Sequence, residues 1–292
     1  TRKKIGSFLV FSEFHSNLIT SATFMTAMAP NLVIVALAKT LHINITWLGW
    51  FVAGVVPSII CLLATPYIIY KMYPPEVKET PNAKEWANEE LDKMGKMKLS
   101  EKLMGLIFIL TLVLWMLTSF IPAIDATFVA FLAISLLLIT GVLDTKDLLH
   151  ETGAWNVLIW LSVLVYMADE LSKLGFIKWF SGSIGSALHG ISWVWVLAVL
   201  IIVYFYAHYF FASATAHVTA MYAAFVSVAV AAGAPAMLAA MLLAFTSAFM
   251  SSTTHYANGP ASVLSSSGYV TQSEWWKMNF IMGIFYLLVY GI

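Results

Sequence analysis

Long apolar runs, separated by short polar breaks, make up most of this chain. A bilayer crossing takes roughly 20 consecutive apolar residues, and runs near that length recur along the sequence. Because backbone groups cannot stay unpaired in lipid, such runs are expected to be helical. The pattern predicts membrane-spanning helices at 5–29, 47–70, 104–122, 124–143, 154–172, 192–211, 217–232 and 276–292.

One stretch departs from this pattern. Residues 71–102 carry seven lysines and seven acidic residues. Within them, NAKEWANEELDKMGKM (82–97) has opposite charges at helical spacing, which predicts a surface helix in an extramembrane loop. Lys and Arg collect on the cytoplasmic side of membrane proteins, so we place this loop and Arg2–Lys4 there. The Gly- and Ser-containing segment 174–190 predicts an interfacial piece instead of a full span.

Composition agrees with a membrane protein. Hydrophobic residues make up 61% of the 292 positions and charged residues 10%, whereas soluble domains have about 25% charged residues. The sequence therefore predicts an all-α polytopic membrane protein that contacts the lipid bilayer and has no nucleic-acid partner. Cys61 is the single cysteine, so a disulfide within the chain is excluded. No cofactor and no metal site are expected.

The polar stretch SSTTHYANGP (251–260) follows the apolar run AMLAAMLLAFTSAFM (236–250) and precedes another lipid-like segment. Two interpretations are open. The stretch is a break within a membrane helix, where freed backbone groups form a binding site, or it is an ordinary loop outside the membrane. Pro260 favours the break, because proline lacks an amide hydrogen and clashes with the preceding turn.

Residues 193–230 contain two apolar segments that are joined only by ASATAH (212–217). If the loop at 71–102 and Lys277 are both cytoplasmic, one of the apolar pieces between them cannot be a full crossing. We therefore predict a re-entrant hairpin that turns at mid-depth around Ser213–Ala216.

A second interrupted helix is expected, since transporters are often built from inverted repeats. FHSNLITSATFMTAMAPN (14–31) and FTSAFMSSTTHYANGPA (245–261) both begin with Phe, pass through Ser, Thr and small residues, and reach a proline near their ends. Each precedes a span led by tryptophan, TWLGWFVAGVVP (46–57) and EWWKMNFIMGIF (274–285). The two stretches predict broken helices related as inverted repeats.

Four segments carry a resemblance to a known family: EFHSNLITSATFMTAMAPN, ETGAWNVLIWLSVL, YFFASATAHVTAMYAAF and SSTTHYANGPASVLSSSGYV. They resemble the divalent anion/sodium symporter family, and within it the bacterial citrate/succinate antiporters and 2-oxoglutarate/malate translocators. The resemblance extends over the whole chain and implies the C-terminal portion of a longer protein. It implies a scaffold domain, a mobile transport domain, elevator-type movement, a homodimer in the inner (cytoplasmic) membrane, and a di- or tricarboxylate substrate.

The hairpin tip departs from one pattern of that family. In sodium-coupled members the tip reads Ser-Asn-Thr, whereas here it reads Ser213-Ala214-Thr215. The amide oxygen that would ligate a hard cation is therefore missing. The resemblance implies a secondary active transporter of citrate, succinate, malate or 2-oxoglutarate that works by alternating access, and the departure at the tip favours exchange. The alternative is a sodium-coupled dicarboxylate symporter.

A carboxylate at mid-membrane needs hydroxyl and amide donors to offset its charge. Candidate donors lie at the hairpin tip, in the second break and along the first broken helix. The predicted substrate-binding residues are Ser213, Thr215, His217, Ser252, Thr253, Thr254, His255, Asn17, Thr20 and Ser21.

Each candidate also has a structural interpretation. Ser213 and Thr215 would otherwise cap the helix after the turn, and His217 and His255 would otherwise be hydrogen-bonded structural histidines. Ser and Thr in the first broken helix would otherwise bond their own backbone. His208, which precedes the tip, is predicted to be structural.

The predicted organisation follows from these elements. It consists of the first broken helix (1–46), a span (47–70), a cytoplasmic loop (71–103), scaffold helices with the interfacial segment (104–190), the hairpin (191–232), the second broken helix (233–270) and a last span (271–292). Tryptophans near the span ends predict an interfacial belt. These are Trp47, Trp50, Trp155, Trp193, Trp195, Trp275 and Trp276.

An intramembrane enzyme and a channel are the two alternative functional classes. An intramembrane enzyme would use Ser and His of SSTTHY as nucleophile and base, but no carboxylate lies nearby in sequence to orient His255. No Gly-x-Ser-x-Gly or His-Glu-x-x-His motif occurs either. A channel would need a continuous pore instead of interrupted helices that enclose a site.

Overall fold

The computed structural model describes residues 5–79, 81–121, 124–176, 179, 183, 190–211 and 213–291. Throughout these residues the regular structure is helical and no strand occurs, in agreement with the predicted all-α polytopic protein. Most of the predicted interfacial segment 174–190 lies outside them. Four helices in the described part are long and apolar enough to cross a membrane: Trp47–Met72, Leu99–Leu117, Trp193–Phe210 and Ala214–Ala231.

The chain divides into two compact units. The first holds residues 5–45, 50–76 and 159–291, and the second holds 46–49 and 77–158, as far as each range is described. Helices α3 (Trp47–Met72) and α8 (Thr152–Lys173) have residues in both. The other helices of the first unit are α1 (Ser7–Thr23), α2 (Ala29–Thr40), α9 (Trp193–Ala207), α10 (Ala214–Ala231), α11 (Ala236–Met250), α12 (Gly259–Ser265) and α13 (Gln272–Gly291).

The second unit contains the charged segment. The surface helix predicted at 82–97 is present as α4 (Ala83–Met94), and none of its residues is buried. The apolar helices α5 (Leu99–Leu117) and α6 (Ala126–Ile139) pack against each other. Asp125 caps α6 by accepting from the amides of the second and third helical residues. A short helix, α7 (Thr145–His150), precedes α8.

The first unit contains two interrupted helices. α1 ends at Thr23 and α2 begins at Ala29, so the apolar run 5–29 is not one continuous helix: it breaks after residue 23, within the segment 1–46 for which a broken helix is predicted. Similarly, α11 ends at Met250 and α12 begins at Gly259. Pro30 and Pro260 are each the second residue of the helix that resumes. Proline is tolerated there because its missing amide hydrogen would have had no partner in the first turn.

The hairpin turns earlier than predicted. A 3₁₀ turn (His208–Phe210) follows α9, and α10 already begins at Ala214, so the turn lies at 208–213 and the predicted helix start at 217 is three residues late. The reason is a cap: the Ser213 hydroxyl accepts from the amide of Ala216 at 3.1 Å, which starts the helix at the next residue. α10 then packs against α2 and α11.

The predicted tryptophan belt is wrong at three positions. Trp47 is 4% exposed, and Trp50 and Trp275 are fully buried inside the first unit. The indole N–H of Trp50 donates to the carbonyl of Ala22 at 2.8 Å, close to the end of α1. A buried indole N–H needs such a partner, and the break after α1 supplies a free carbonyl for it.

Candidate functional site

The hairpin tip and the second break meet in the structure. The amide of Ala214, the first residue of α10, donates to the carbonyl of Ala257 at 3.1 Å. The hydroxyl of Tyr256 donates to the carbonyl of Tyr209 at 3.3 Å. Two of the three groups of predicted site residues, the tip and the break, are therefore brought together.

Three hydroxyls at the start of the break are used by the backbone. Ser251, Ser252 and Thr253 are buried, and each donates to the carbonyl three residues earlier, at 2.6, 2.8 and 2.8 Å. Those carbonyls belong to the last turn of α11, where no intrahelical donor is available. The hydroxyls therefore close the end of α11, and their protons are not free for a ligand in this conformation.

Thr254 differs from the three residues before it. Its side chain is fully buried, yet its hydroxyl has no hydrogen-bond partner among the described residues. An unpaired buried hydroxyl destabilises the folded protein. A group in this condition, next to the hairpin tip, is suited to bind a ligand that supplies the missing acceptor.

Thr215 is the second free donor at the tip. It is half-buried, and within the described chain neither its hydroxyl nor its amide N–H is hydrogen-bonded. The neighbouring amides of Ala214 and Ala216 are already paired, with Ala257 and with Ser213. Thr215 thus offers two donors at the start of an 18-residue helix, whose dipole favours an anion. Ser213, by contrast, acts as the cap.

His217 is buried in a stack of rings. Its Nδ1 lies 3.2 Å from Nδ1 of His208, and the two rings are within 8° of parallel. The ring of Phe211 also lies nearly parallel to that of His217, at a centroid distance of 4.4 Å. Both histidines are fully buried.

His255 is half-buried in the break and lies beside α13. The indole N–H of Trp276 donates to Nδ1 of His255 at 3.4 Å. The Trp276 ring also contacts the ring of Tyr209 in the hairpin, with centroids 5.5 Å apart. Trp276 therefore touches both the break and the hairpin.

The candidates on the first broken helix stand apart from this group. Asn17 and Thr20 are exposed, and Thr20 donates to the carbonyls of residues 16 and 17, as its structural interpretation predicts. Ser21 is half-buried. α1 packs against α11 and α12. Among the described residues, however, no hydrogen bond joins the side chains of Asn17, Thr20 or Ser21 to the tip or to the second break.

Asn258 and Asn31 lie near the two prolines and are not among the predicted site residues. Asn258 does cap α12, since its Oδ1 accepts from the amide of Ala261 at 2.8 Å, and its Nδ2 also donates to the hydroxyl of Ser251 at 3.1 Å. Fully buried Asn31 donates to the carbonyls of Ser21 and residue 24. Each asparagine thus ties the resuming helix to the end of the preceding one, and its place beside a proline was the available signal.

Trp276 was also missed, because a tryptophan near a span end is most simply explained by the membrane interface.

The site formed by the tip and the break consists of hydroxyl, amide and imidazole groups. No cluster of three or more His, Cys, Asp or Glu side chains suited to a metal occurs in the described part. Chemically, the arrangement can bind an anion through neutral donors.

The chain consists largely of apolar helices. Two of them are interrupted, and a polar site lies where a hairpin meets one of the interruptions. These features define a polytopic membrane transporter. The chain belongs to the family described as the sodium:sulfate symporter transmembrane region, which matches residues 1–292. This family is one of transporters, so the enzyme interpretation is excluded, and the predicted family is confirmed.

Three relatives indicate the branch of the family. The chain is 47% identical over 291 residues to the "Putative malate transporter YflS" of Bacillus subtilis (strain 168), covering 99% of this chain and 61% of the relative. It is 41% identical over 297 residues to the chloroplastic dicarboxylate transporter 1 of Spinacia oleracea, covering 99% and 51%. It is 33% identical over 289 residues to the L-tartrate/succinate antiporter of Escherichia coli (strain K12), covering 98% and 59%. The chain therefore spans about half to three fifths of these relatives.

Proposed function

We propose that the protein exchanges dicarboxylates across the membrane by alternating access, and that this chain supplies one of its substrate-binding sites. The observation that carries the proposal is the pair of free threonines: Thr254 in the break and Thr215 at the tip of the hairpin that is bonded to that break. Relatives named as dicarboxylate, malate and tartrate/succinate transporters support the substrate class.

The donors suit a carboxylate. Thr215 offers an amide and a hydroxyl from one residue, so the two can engage the two oxygens of one carboxylate group. Hydrogen bonds to a charged acceptor are stronger than neutral ones, with a net contribution of about 1.5–3 kcal/mol. The Thr254 hydroxyl, already desolvated, loses no hydrogen bond to the protein when it turns to a substrate. Ser252, Thr253 and His255 line the same break and are proposed as secondary contacts, the two hydroxyls only after they turn away from the carbonyls of Phe249 and Met250.

Exchange is favoured over sodium-coupled symport by the tip itself. Ala214 has no side-chain oxygen, and its amide already donates to the carbonyl of Ala257. An N–H group, which repels a cation, therefore lies against the Ala257 carbonyl between the tip and the break. The family description names sodium symporters, so symport remains the second candidate.

The inverted-repeat relationship and elevator movement are proposals that rest on the two breaks. Both interrupted helices resume with a proline at the second position, and both use an asparagine near that proline to hold the end of the preceding helix. Half-helices of this kind are typical of inverted-repeat transporters. From the resemblance to the family we further propose a homodimer in the inner (cytoplasmic) membrane, with citrate and 2-oxoglutarate as further candidate substrates.

Reconstituted full-length protein tests the proposal. Uptake of labelled malate into proteoliposomes is measured with and without internal succinate, in sodium buffer and in choline buffer. We expect uptake that requires internal succinate and is equal in the two buffers. Uptake into empty vesicles that requires sodium would establish the symporter instead, and uptake of neither malate, succinate nor citrate would overturn the substrate class.

A further inference from the structure

Two buried histidines lie on either side of the hairpin tip. His208 ends the first arm and His217 lies in the first turn of α10, and both are fully buried. Their Nδ1 atoms are 3.2 Å apart, with the rings nearly parallel. The Nε2 atom of each has no hydrogen-bond partner in the described part of the chain. The mechanism proposed above does not use either ring.

The contact between the two Nδ1 atoms limits how many protons the pair can hold. One Nδ1 must carry a hydrogen and the other must accept it, because two hydrogens cannot occupy a 3.2 Å contact. In the neutral pair, one Nε2 is therefore bare and the other carries a hydrogen. A proton from solvent can join the bare Nε2, which gives a pair of charge +1 with two Nε2–H donors. A second proton cannot be added, because both Nε2 atoms then carry a hydrogen and the two Nδ1 atoms already share one.

The chain provides little to balance such a charge. The elements packed against the hairpin arms that carry the pair are α2, α11, α13 and the break at 251–258. The Tyr204 ring lies 4.5 Å from His217, but its hydroxyl is bonded to Ser247. The one acidic side chain on these elements, Glu274, accepts from Thr271. The other titratable side chains on these elements and on the first hairpin arm are Lys39, Tyr206, Tyr209, His255, Tyr256, Lys277, Tyr286 and Tyr290.

We propose that His208 and His217 form a binding site for one proton, which is taken up when a carboxylate binds at the hairpin tip. The inference rests on the proposed function, since it requires a carboxylate there. The bound anion accepts from the unpartnered Nε2–H groups and balances the added charge, so it favours the protonated pair. By thermodynamic linkage, proton and substrate then increase each other's affinity by the same factor.

Calorimetry on the purified full-length protein tests this directly. Malate binding is measured at pH 7.5 in phosphate and in Tris, whose ionisation enthalpies differ, and the difference in heat gives the number of protons exchanged. Carboxyl groups ionise near pH 4, so free malate contributes no protons at this pH. We expect uptake of more than zero and at most one proton per malate bound, and a malate affinity that falls as the pH is raised.

Variants assign the proton to the pair. In His208→Asn/His217→Asn each amide places a hydrogen-bonding atom near the former Nδ1, so the contact between the side chains is kept while titration is lost. We expect this variant to bind malate without proton uptake, and the control His150→Gln, at an exposed histidine of α7, to match the wild type. Zero uptake in the wild type, or unchanged uptake in the double variant, would overturn the inference alone. Absence of dicarboxylate binding in the wild type would overturn it together with the proposed function.

Discussion

The amide N–H of Ala214 donates to the carbonyl of Ala257, and this bond joins the hairpin tip to the second helix break. The two residues are 43 positions apart, and each belongs to a segment that contains proposed substrate contacts. Because the bond is between backbone groups, it fixes the distance between Thr215 and the break without using any side chain that a substrate needs.

Ala214→Pro removes this hydrogen bond and also places the proline Cδ against the carbonyl of Ala257, so the tip has to move away from the break. The backbone otherwise accepts proline here: Ala214 is the first residue of α10, a position that proline favours, and Ser213 before it is extended (φ −155°, ψ 154°). The lost hydrogen bond alone costs about 0.5–1.5 kcal/mol, so we expect the apparent malate affinity in proteoliposomes to fall at least two- to tenfold.

The matched control is Ala236→Pro, at the first residue of α11. No hydrogen bond of the Ala236 amide is present in the described structure, so this change should leave malate uptake unaltered. Equal losses in the two variants would mean that proline at a helix start is harmful here for another reason. An unaltered affinity in Ala214→Pro would mean that the bond does not organise the site.

Thr254→Val is expected to change stability and affinity in opposite directions. Valine has the shape of threonine but lacks the buried hydroxyl that has no partner. The free protein should gain about 1 kcal/mol, measured as a higher thermal midpoint in detergent, because an unpaired polar group is removed. Malate affinity should fall about tenfold or more, because the substrate loses a donor.

Thr246→Val is the control for this exchange. The Thr246 hydroxyl donates to the carbonyl of Leu242, so its loss should not raise the thermal midpoint and should leave malate affinity unchanged. Thr254→Ser keeps the hydroxyl and should retain affinity. A Thr254→Val protein that binds malate as the wild type does would remove Thr254 from the site.

Much of the fold follows from the sequence, because its signals are local. Apolar length predicts the spans, charge spacing predicts α4, and Pro30 and Pro260 predict the two interruptions. The ends of these elements depended on finer interactions. The cap at Ser213 moved the start of α10 from the predicted 217 to 214, and the buried bond of Trp50 to Ala22 contradicted a belt position.

The site was predictable only in its composition. Sequence reasoning selected Thr215 and Thr254 but ranked them with Ser252 and Thr253, because four adjacent hydroxyl residues look alike until their backbone partners are known. The structure separates them: Thr253, for example, donates to a carbonyl of α11, whereas Thr254 does not. Contacts across distant segments, such as that of Trp276 with His255, leave no periodic signal in a single sequence.

Trp276 is expected to set which nitrogen of His255 carries the proton. An indole N–H can only donate, so Nδ1 of His255 must accept and the hydrogen of the neutral ring is on Nε2. Gln places an amide nitrogen near the position of Nε2, and Asn places one near Nδ1. We therefore expect His255→Gln to retain malate affinity and His255→Asn to lose about three- to tenfold, by analogy with a hydrogen bond of about 1 kcal/mol.

Trp276→Phe keeps a ring against Tyr209 but frees His255 to adopt the other tautomer. We expect malate affinity to fall in Trp276→Phe and to be restored in Trp276→Phe/His255→Gln, where the amide nitrogen lies near the position of Nε2. Trp195→Phe, at a residue with 70% exposure, serves as control. If the malate affinity of Trp276→Phe is the same with and without His255→Gln, the tautomer argument is wrong.

Gly283 in α13 is expected to be required for close packing of the first hairpin arm. A Cβ at this position would lie 2.7 Å from Cζ and 3.0 Å from Cε1 of Phe205, whose side chain is fully buried in α9. The ring cannot simply turn aside, so Gly283→Ala should overpack the contact and cost about 1–3 kcal/mol. Gly291→Ala, in the same helix with open space around it, should be neutral or slightly stabilising.

The double variant Gly283→Ala/Phe205→Leu tests the cause. Leucine removes part of the clashing ring, so the double variant should lose less stability than the two single changes added together. The difference is a coupling free energy, which for contacting residues is about 0.5–3 kcal/mol. Strict additivity would show that the two side chains do not interact. If the coupling is present, and the double variant regains both thermal midpoint and malate exchange relative to Gly283→Ala, then the packing of α9 against α13 positions the hairpin tip against the break.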